Sequence, residues 1–176
     1  NHTTKVAKSI IAAGILKGDR VGIWAPNCFE WTLLQFATAR IGVILVNVNP
    51  AYRPHEVEFA INQSGISLMV SAVSHKTSNY KEMLSCVIED CPTLNQVVYL
   101  NEEWHAFLEL ASDISDEVLE ILEKAVQFDD PVNIQYTSGT TGFPKGVTLS
   151  HHNILNNGFF IGERLKYTTK DRVCIP

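Results

Sequence analysis

The chain has 176 residues, 14 Lys plus Arg against 19 Asp plus Glu, and a formal net charge of −5. That length suits one domain with a real core or part of a larger one, and 45% hydrophobic with 19% charged residues argues against a disordered chain. Basic residues are scattered singly, so a nucleic-acid partner has no electrostatic footprint, and apolar runs such as Ile41 to Val46 fall far short of the roughly 20 residues that span a bilayer.

Residues 3–16 place Val6, Ile10, Ile11 and Leu16 at helical spacing, closed by Gly14 and Gly18-Asp19. Val21 to Trp24 reads as a buried strand, and Ala25-Pro26-Asn27 turns the chain. Phe29 to Ile41 reads as a helix with Leu33, Leu34, Phe36, Ala37 and Ile41 inward. The pattern then repeats. Val43 to Val48 is a strand and Asn49 to Arg53 a loop, with Asn49-Pro50 a rigid turn. Pro54 opens a helix through Val57, Ala60 and Ile61 that Gly65 stops. Ser67 to Val70 is a strand, 78–89 a helix, and Val97 to Leu100 a strand. Residues 101–130 are acidic and helical in pattern and read as a variable connection with a solvated face. Val132 to Thr137 is a fifth strand, and Ser150 caps a helix running to about Lys166. Alternating strands and helices predict an α/β fold, a parallel sheet with helices on both faces.

The four cysteines, Cys28, Cys86, Cys91 and Cys174, form no C-x-x-C pair and have no histidines at zinc spacing, so they read as free thiols. No charged segment followed by an apolar one marks a signal peptide.

The most informative segment is Tyr136-Thr-Ser-Gly-Thr-Thr-Gly-Phe-Pro-Lys-Gly146. Gly139, Gly142 and Gly146 permit positive φ and close approach of backbone to an anion. Successive backbone N–H groups there can cradle phosphate oxygens. Thr137, Ser138, Thr140 and Thr141 add hydroxyl donors, and Lys145 adds a mobile positive charge suited to a polyphosphate. The expected setting is strand, loop, helix. The spacing is neither G-x-x-x-x-G-K-[ST] nor G-x-G-x-x-G, which disfavours a P-loop GTPase or a dinucleotide enzyme. His151 and His152, at the expected helix start, read as a helix-surface pair, with an anion contact as the sharper alternative; Trp31 and Tyr52 read as packing residues.

The string S-G-T-T-G-F-P-K-G resembles the signature of the adenylate-forming superfamily, which includes acyl-CoA synthetases, aryl-CoA ligases, luciferases and peptide-synthetase adenylation domains. Gly18-Asp19-Arg20-Val21, Ala25-Pro26-Asn27 with Trp31, Gly42 through Tyr52 with Glu56, and Leu149 to Asn153 are similar to further segments of that family. The flanks Asp130 to Tyr136, Asn156-Asn157 and Gly162-Glu163-Arg164 look most like its medium-chain acyl-CoA synthetase branch.

The resemblance implies that 1–176 is a partial N-terminal AMP-binding (adenylation) domain, with the rest of that domain and a C-terminal domain outside the chain. It implies ATP-dependent activation of a carboxylic acid, a fatty acid above all, followed by thioester formation with coenzyme A. Lys145 is the implied catalytic residue. Thr137, Ser138, Gly139, Thr140, Thr141, Gly142, Phe143, Pro144, Lys145 and Gly146 are the implied nucleotide-binding residues, and Thr141 the implied Mg²⁺ contact. The cofactors and partners implied are ATP, Mg²⁺, coenzyme A and a small carboxylic acid, in an intracellular, cytoplasmic protein, or a mitochondrial one if eukaryotic. Isolated, the chain is expected not to turn over and to self-associate through an exposed sheet edge and apolar helix faces. An aryl-acid or amino-acid adenylating domain and a non-catalytic phosphate-binding module are the rival readings. Chain length of the acid and oligomeric state are left open.

Overall fold

A computed structural model describes residues 1–137 and 144–173. The chain starts with α1 (His2–Ala12), whose first turn is capped by Asn1 accepting from the Thr3 amide at 3.1 Å. Then follow β1 (Arg20–Trp24), α2 (Phe29–Arg40), β2 (Ile44–Asn47), α3 (Pro54–Ser64) and β3 (Ile66–Ser71). A two-residue hairpin, β4 (Ser74–His75) with β5 (Ser78–Asn79), leads into α4 (Tyr80–Ser85) and β6 (Gln96–Tyr99). Two short helices, α5 (Trp104–Glu109) and α6 (Asp116–Lys124), precede β7 (Pro131–Thr137), β8 (Lys145–Ser150) and α7 (His151–Leu165).

Among the described residues, six strands form one sheet in the order β6-β3-β1-β2-β7-β8. All neighbours pair in parallel except β7 and β8, which form an antiparallel hairpin. The inner strands are apolar on both sides because both faces are covered: Val21, Ile23, Leu45, Val46, Leu68 and Val70 are fully buried. Side chains alternate across β7. Asn133 meets Gln35 of α2 (Nδ2 to Oε1, 3.2 Å), whereas the Tyr136 hydroxyl donates to the Ala60 carbonyl of α3 at 3.2 Å. Helices therefore lie on both faces, as the sequence pattern predicts.

Several local expectations need correction. The chain does not pass from the glycine-rich loop straight into a helix, because β8 intervenes. The helix expected over 78–89 is divided: α4 ends at Ser85 and a 3-10 turn covers Ile88–Asp90. Phe36, expected inward, is 60% exposed and lies beside α7. The acidic segment is not only a solvated connection. Trp104, Phe107 and Leu119 join the core, while Asp116 pairs with Lys8 at 2.9 Å and Glu123 with Arg40.

Two motifs are architectural. The turn at Asn49-Pro50 is held from both sides. The Trp24 indole donates to the Asn49 carbonyl (3.1 Å) and the Tyr80 hydroxyl to the Pro50 carbonyl (2.6 Å), with the two rings stacked 4.0 Å apart. At the entry to β1, the Asp19 carboxylate accepts from the Leu16 amide (2.8 Å). Arg20 reaches across to the end of α3, where its Nε donates to the Ser64 carbonyl (2.8 Å) and its Nη1 to the Gly18 carbonyl (3.1 Å).

Candidate phosphate-binding site

Strand β7 runs parallel to β2, so its C-terminal end, at Thr137, opens on the edge of the sheet where α/β proteins bind ligands. The chain returns as β8, with Tyr136 opposite Gly146 and Thr137 opposite Lys145. The glycine-rich string is therefore the connection of a β-hairpin. Ser138, Gly139, Thr140, Thr141, Gly142 and Phe143 lie outside the described residues. Thr137, Pro144, Lys145 and Gly146 are described, and these root the loop on paired strands.

Lys145 is exposed, and the Thr137 hydroxyl approaches its carbonyl at 3.5 Å. Lys145 borders a cavity of about 350 Å³ shared with Gln63, Ser64, Tyr136, Gly146 and Thr148. A cation, an amide and three hydroxyl-bearing residues line this one space, which suits an oxyanion, although the Ser64 and Tyr136 hydroxyls already donate to the Ala60 carbonyl.

Gly146 serves a different purpose from the one its sequence context predicts. Its φ is not positive. A Cβ there would stand 3.2 Å from Ile134 Cγ2 and 3.4 Å from Tyr136 Cζ, so what requires glycine is the close approach of β8 to the β7 side chains.

The helix N-terminus is not part of this site. Ser150 caps α7, accepting from the Asn153 amide (3.2 Å) while Asn153 Oδ1 accepts from the Ser150 amide (2.9 Å). Strand β8 covers Lys145–Ser150. At ~3.3 Å per residue it puts that cap roughly 17 Å from Lys145. His151 and His152 lie at this far end. Their amides donate to the Asp130 carbonyl (3.2 Å) and the Phe128 carbonyl (2.8 Å). The surface reading holds for His152, which is exposed, but His151 is half-buried, and its Nε2 is buried with no hydrogen-bond partner among the described residues. Burial pushes its pKa down and Lys17 adds to that, with Asp130 opposing. It borders a hollow of about 890 Å³ between α2 and α7, walled by Phe36, Val132, Leu149 and Leu155.

Other candidates fall to structural roles. Burial pushes the Cys28 thiol above its usual range, which is wrong for a nucleophile, and Cys91 is buried and shifted likewise. Cys86 is exposed and free, and Cys174 lies outside the described residues. Tyr52 is buried and Trp31 packs against the core. Among the described residues no group of three His, Cys, Asp or Glu is placed to hold a metal ion, and no helix is long and apolar enough to cross a membrane.

A mostly parallel α/β sheet with a glycine-, threonine- and lysine-bearing hairpin loop at a strand's C-terminal end defines a phosphate-handling class of protein. The AMP-binding enzyme family model matches residues 1–176, and the chain belongs to that family. It is 40% identical over 98% of its length to the mitochondrial medium-chain acyl-CoA ligase ACSF2 of Danio rerio, and 41% identical over 94% to its Mus musculus counterpart. It spans 32% and 30% of those proteins, about a third of their length. Among solved structures it superposes on a long-chain-fatty-acid-CoA ligase of Archaeoglobus fulgidus with a TM-score of 0.78 and 26% identity, over 97% of this chain and 32% of that one.

Proposed function

We propose that the protein activates a carboxylic acid with ATP and transfers the acyl group to coenzyme A, and that the acid is a medium-chain fatty acid. One observation supports this above others: a family-typical S-G-T-T-G-F-P-K-G string, Ser138 to Gly146, that starts where Thr137 and Lys145 are cross-strand partners at the C-terminal end of a parallel strand. The chain length of the acid comes from likeness to the medium-chain ligases.

In the first step a carboxylate oxygen forms a bond to the α-phosphorus and the bond to the β-phosphate breaks, releasing pyrophosphate. The nucleophile is already an anion, so no protein base is needed. What lowers the barrier is alignment and neutralisation of charge on the departing pyrophosphate. Lys145 is the proposed catalytic cation. Thr137 and Gly146 flank it, the loop residues Ser138 to Phe143 supply the remaining donors, and Pro144, which has no N–H, adds none. In the second step the coenzyme A sulfur attacks the acyl carbon and AMP leaves with the bonding electrons. Mg²⁺ would travel on the phosphates; Thr141, its proposed protein contact, lies outside the described residues. Likeness to ligases named as mitochondrial supports a mitochondrial location if the source is a eukaryote.

The test is pyrophosphate release by the full-length protein with acetate, octanoate, palmitate, benzoate and amino acids in turn, with and without coenzyme A. Release that peaks with octanoate, and thioester when coenzyme A is added, is the expected result. Release with amino acids or benzoate alone would move the protein to another branch of the family. No release with any acid would leave a phosphate-binding module.

A further inference from the structure

Among the described residues strand β8 lies at the end of the sheet, exposed along Lys145 to Thr148, with β7 as its neighbour. Backbone pairing alone would leave its first residues free to twist and fray. Yet the reading above asks Lys145, the first residue of β8, to hold a fixed place beside a polyphosphate. Something must brace the base of the hairpin.

Tyr136 is placed to do that. It is the cross-strand partner of Gly146, one residue from Lys145. The Tyr136 ring lies beside the β8 backbone at Gly146, where a Cβ would be in ordinary contact with its Cζ and Cε1 at 3.4 and 3.5 Å and tight only against Ile134 Cγ2 at 3.2 Å. Beyond the ring, the hydroxyl donates to the Ala60 carbonyl of α3 at 3.2 Å. The Ser64 hydroxyl donates to that same carbonyl at 2.5 Å. Helix α3 is itself rigidly mounted. Pro54 and a Glu56 carboxylate accepting from the Arg53 amide (2.8 Å) fix its start, and the Arg20 guanidinium on the Ser64 carbonyl fixes its end. Tyr136 thus bridges a well-anchored helix and the backbone bearing Lys145, and it also walls the cavity that Lys145 borders.

We infer that Tyr136 is a positioning residue for the phosphate grip: its ring and hydroxyl set where Lys145 stands, and so set affinity for the polyphosphate of a nucleoside triphosphate. The inference rests on the phosphate-binding reading of the loop. Tyr136 touches no reacting atom and acts only through Gly146 and Lys145. Burial pushes its phenol pKa upward, so it stays a neutral donor at ordinary pH.

The experiment uses the full-length protein as wild type, Y136F and Y136L. Binding of Mg-ATP and of inorganic pyrophosphate is measured by calorimetry, beside KM for ATP and for the carboxylic acid. Y136F keeps the ring against Gly146 and loses only the tether; its expected cost is about three- to tenfold in Kd for both phosphate ligands, the effect of one net hydrogen bond. Y136L loses ring and tether and is expected to bind more weakly still. KM for ATP is expected to rise with Kd while KM for the acid stays within twofold, a split that a general loss of stability would not produce. If Y136L does not fold, Y136F decides alone. Phosphate binding within twofold of wild type in folded Y136F, or an equal rise in both KM values, overturns the positioning role and leaves the phosphate site standing. Wild-type protein that binds neither ligand overturns both.

Discussion

Replacing Gly65 with Ala should be among the more damaging single-methyl additions to this fold, and the reason can be separated into two parts. Gly65 follows α3 with φ 67° and ψ 44°, the left-handed cap that side chains resist. Alanine there costs roughly 1–2 kcal/mol of backbone strain. Its Cβ would also overlap the Arg20 guanidinium. The Arg20 guanidinium must then shift, and the expected cost of that shift is its Nε bond to the Ser64 carbonyl at 2.8 Å. A hydrogen bond from a charged donor contributes about 1.5–3 kcal/mol, so the whole effect is roughly 2.5–5 kcal/mol against a typical total of ~5–15. Guanidinium denaturation read at the midpoint, with slope unchanged, measures it. The partition is tested by a cycle with R20A. Once Arg20 is gone, only the strain remains, so G65A should cost about 1–2 kcal/mol in that background and the pair should be sub-additive by roughly 1.5–3 kcal/mol. Equal costs of G65A in both backgrounds would refute the collision argument, and a cost below about 1 kcal/mol in wild type would refute the strain argument too.

K145A should lower kcat/KM for ATP by roughly a hundredfold, the scale of losing one charge-stabilising donor, with an unchanged melting midpoint because the side chain is exposed; a loss under about tenfold in a pyrophosphate-release assay would remove Lys145 from the proposed role. Stability should fall with acidification in two steps. His151 has its folded pKa pushed below the usual 6.5 by burial, and Asp130 has its own pushed below 3.8 by Lys17, 2.6 Å away, and the Gln127 amide. For both groups the unfolded chain binds protons more readily, so their contribution is present above the unfolded values and lost as pH drops beneath them. Denaturation midpoints across pH 7 to 3 should show both steps, H151Q should lack the upper one, and a midpoint that rises between pH 7 and 5 would contradict the account. Y80F should cost about 1 kcal/mol by releasing the Pro50 carbonyl; an unchanged midpoint would mean that the Trp24 indole alone holds that turn.

Most of the sheet was legible because its strands are buried on both faces. Runs such as Ile44–Asn47 and Ile66–Ser71 carry a continuous apolar signal that short turns punctuate. Helix ends at Pro54, Gly65 and Ser150 were legible for the same local reason, since their caps are satisfied within a few residues. Strand β8 was not. Its alternation over Val147-Thr148-Leu149 is brief, its first four residues are exposed, and the glycines before it read as a loop entering a helix. A return strand after a connection containing glycine is the hairpin signal that would have found it.

That one missed strand changes the chemistry. With loop and helix adjacent, the anion would lean on a helix dipole and on His151. With a six-residue strand between them, neither lies within reach. On the proposed reading, charge neutralisation then falls on Lys145 and the loop, and accuracy of placement on the strand pair β7 and β8. That is why Gly146, which composition marks as a flexible loop residue, is held in a ladder, and why Tyr136, which no motif of charge or nucleophilicity would select, stands against it. Side chains that act by contact with a backbone leave no compositional trace.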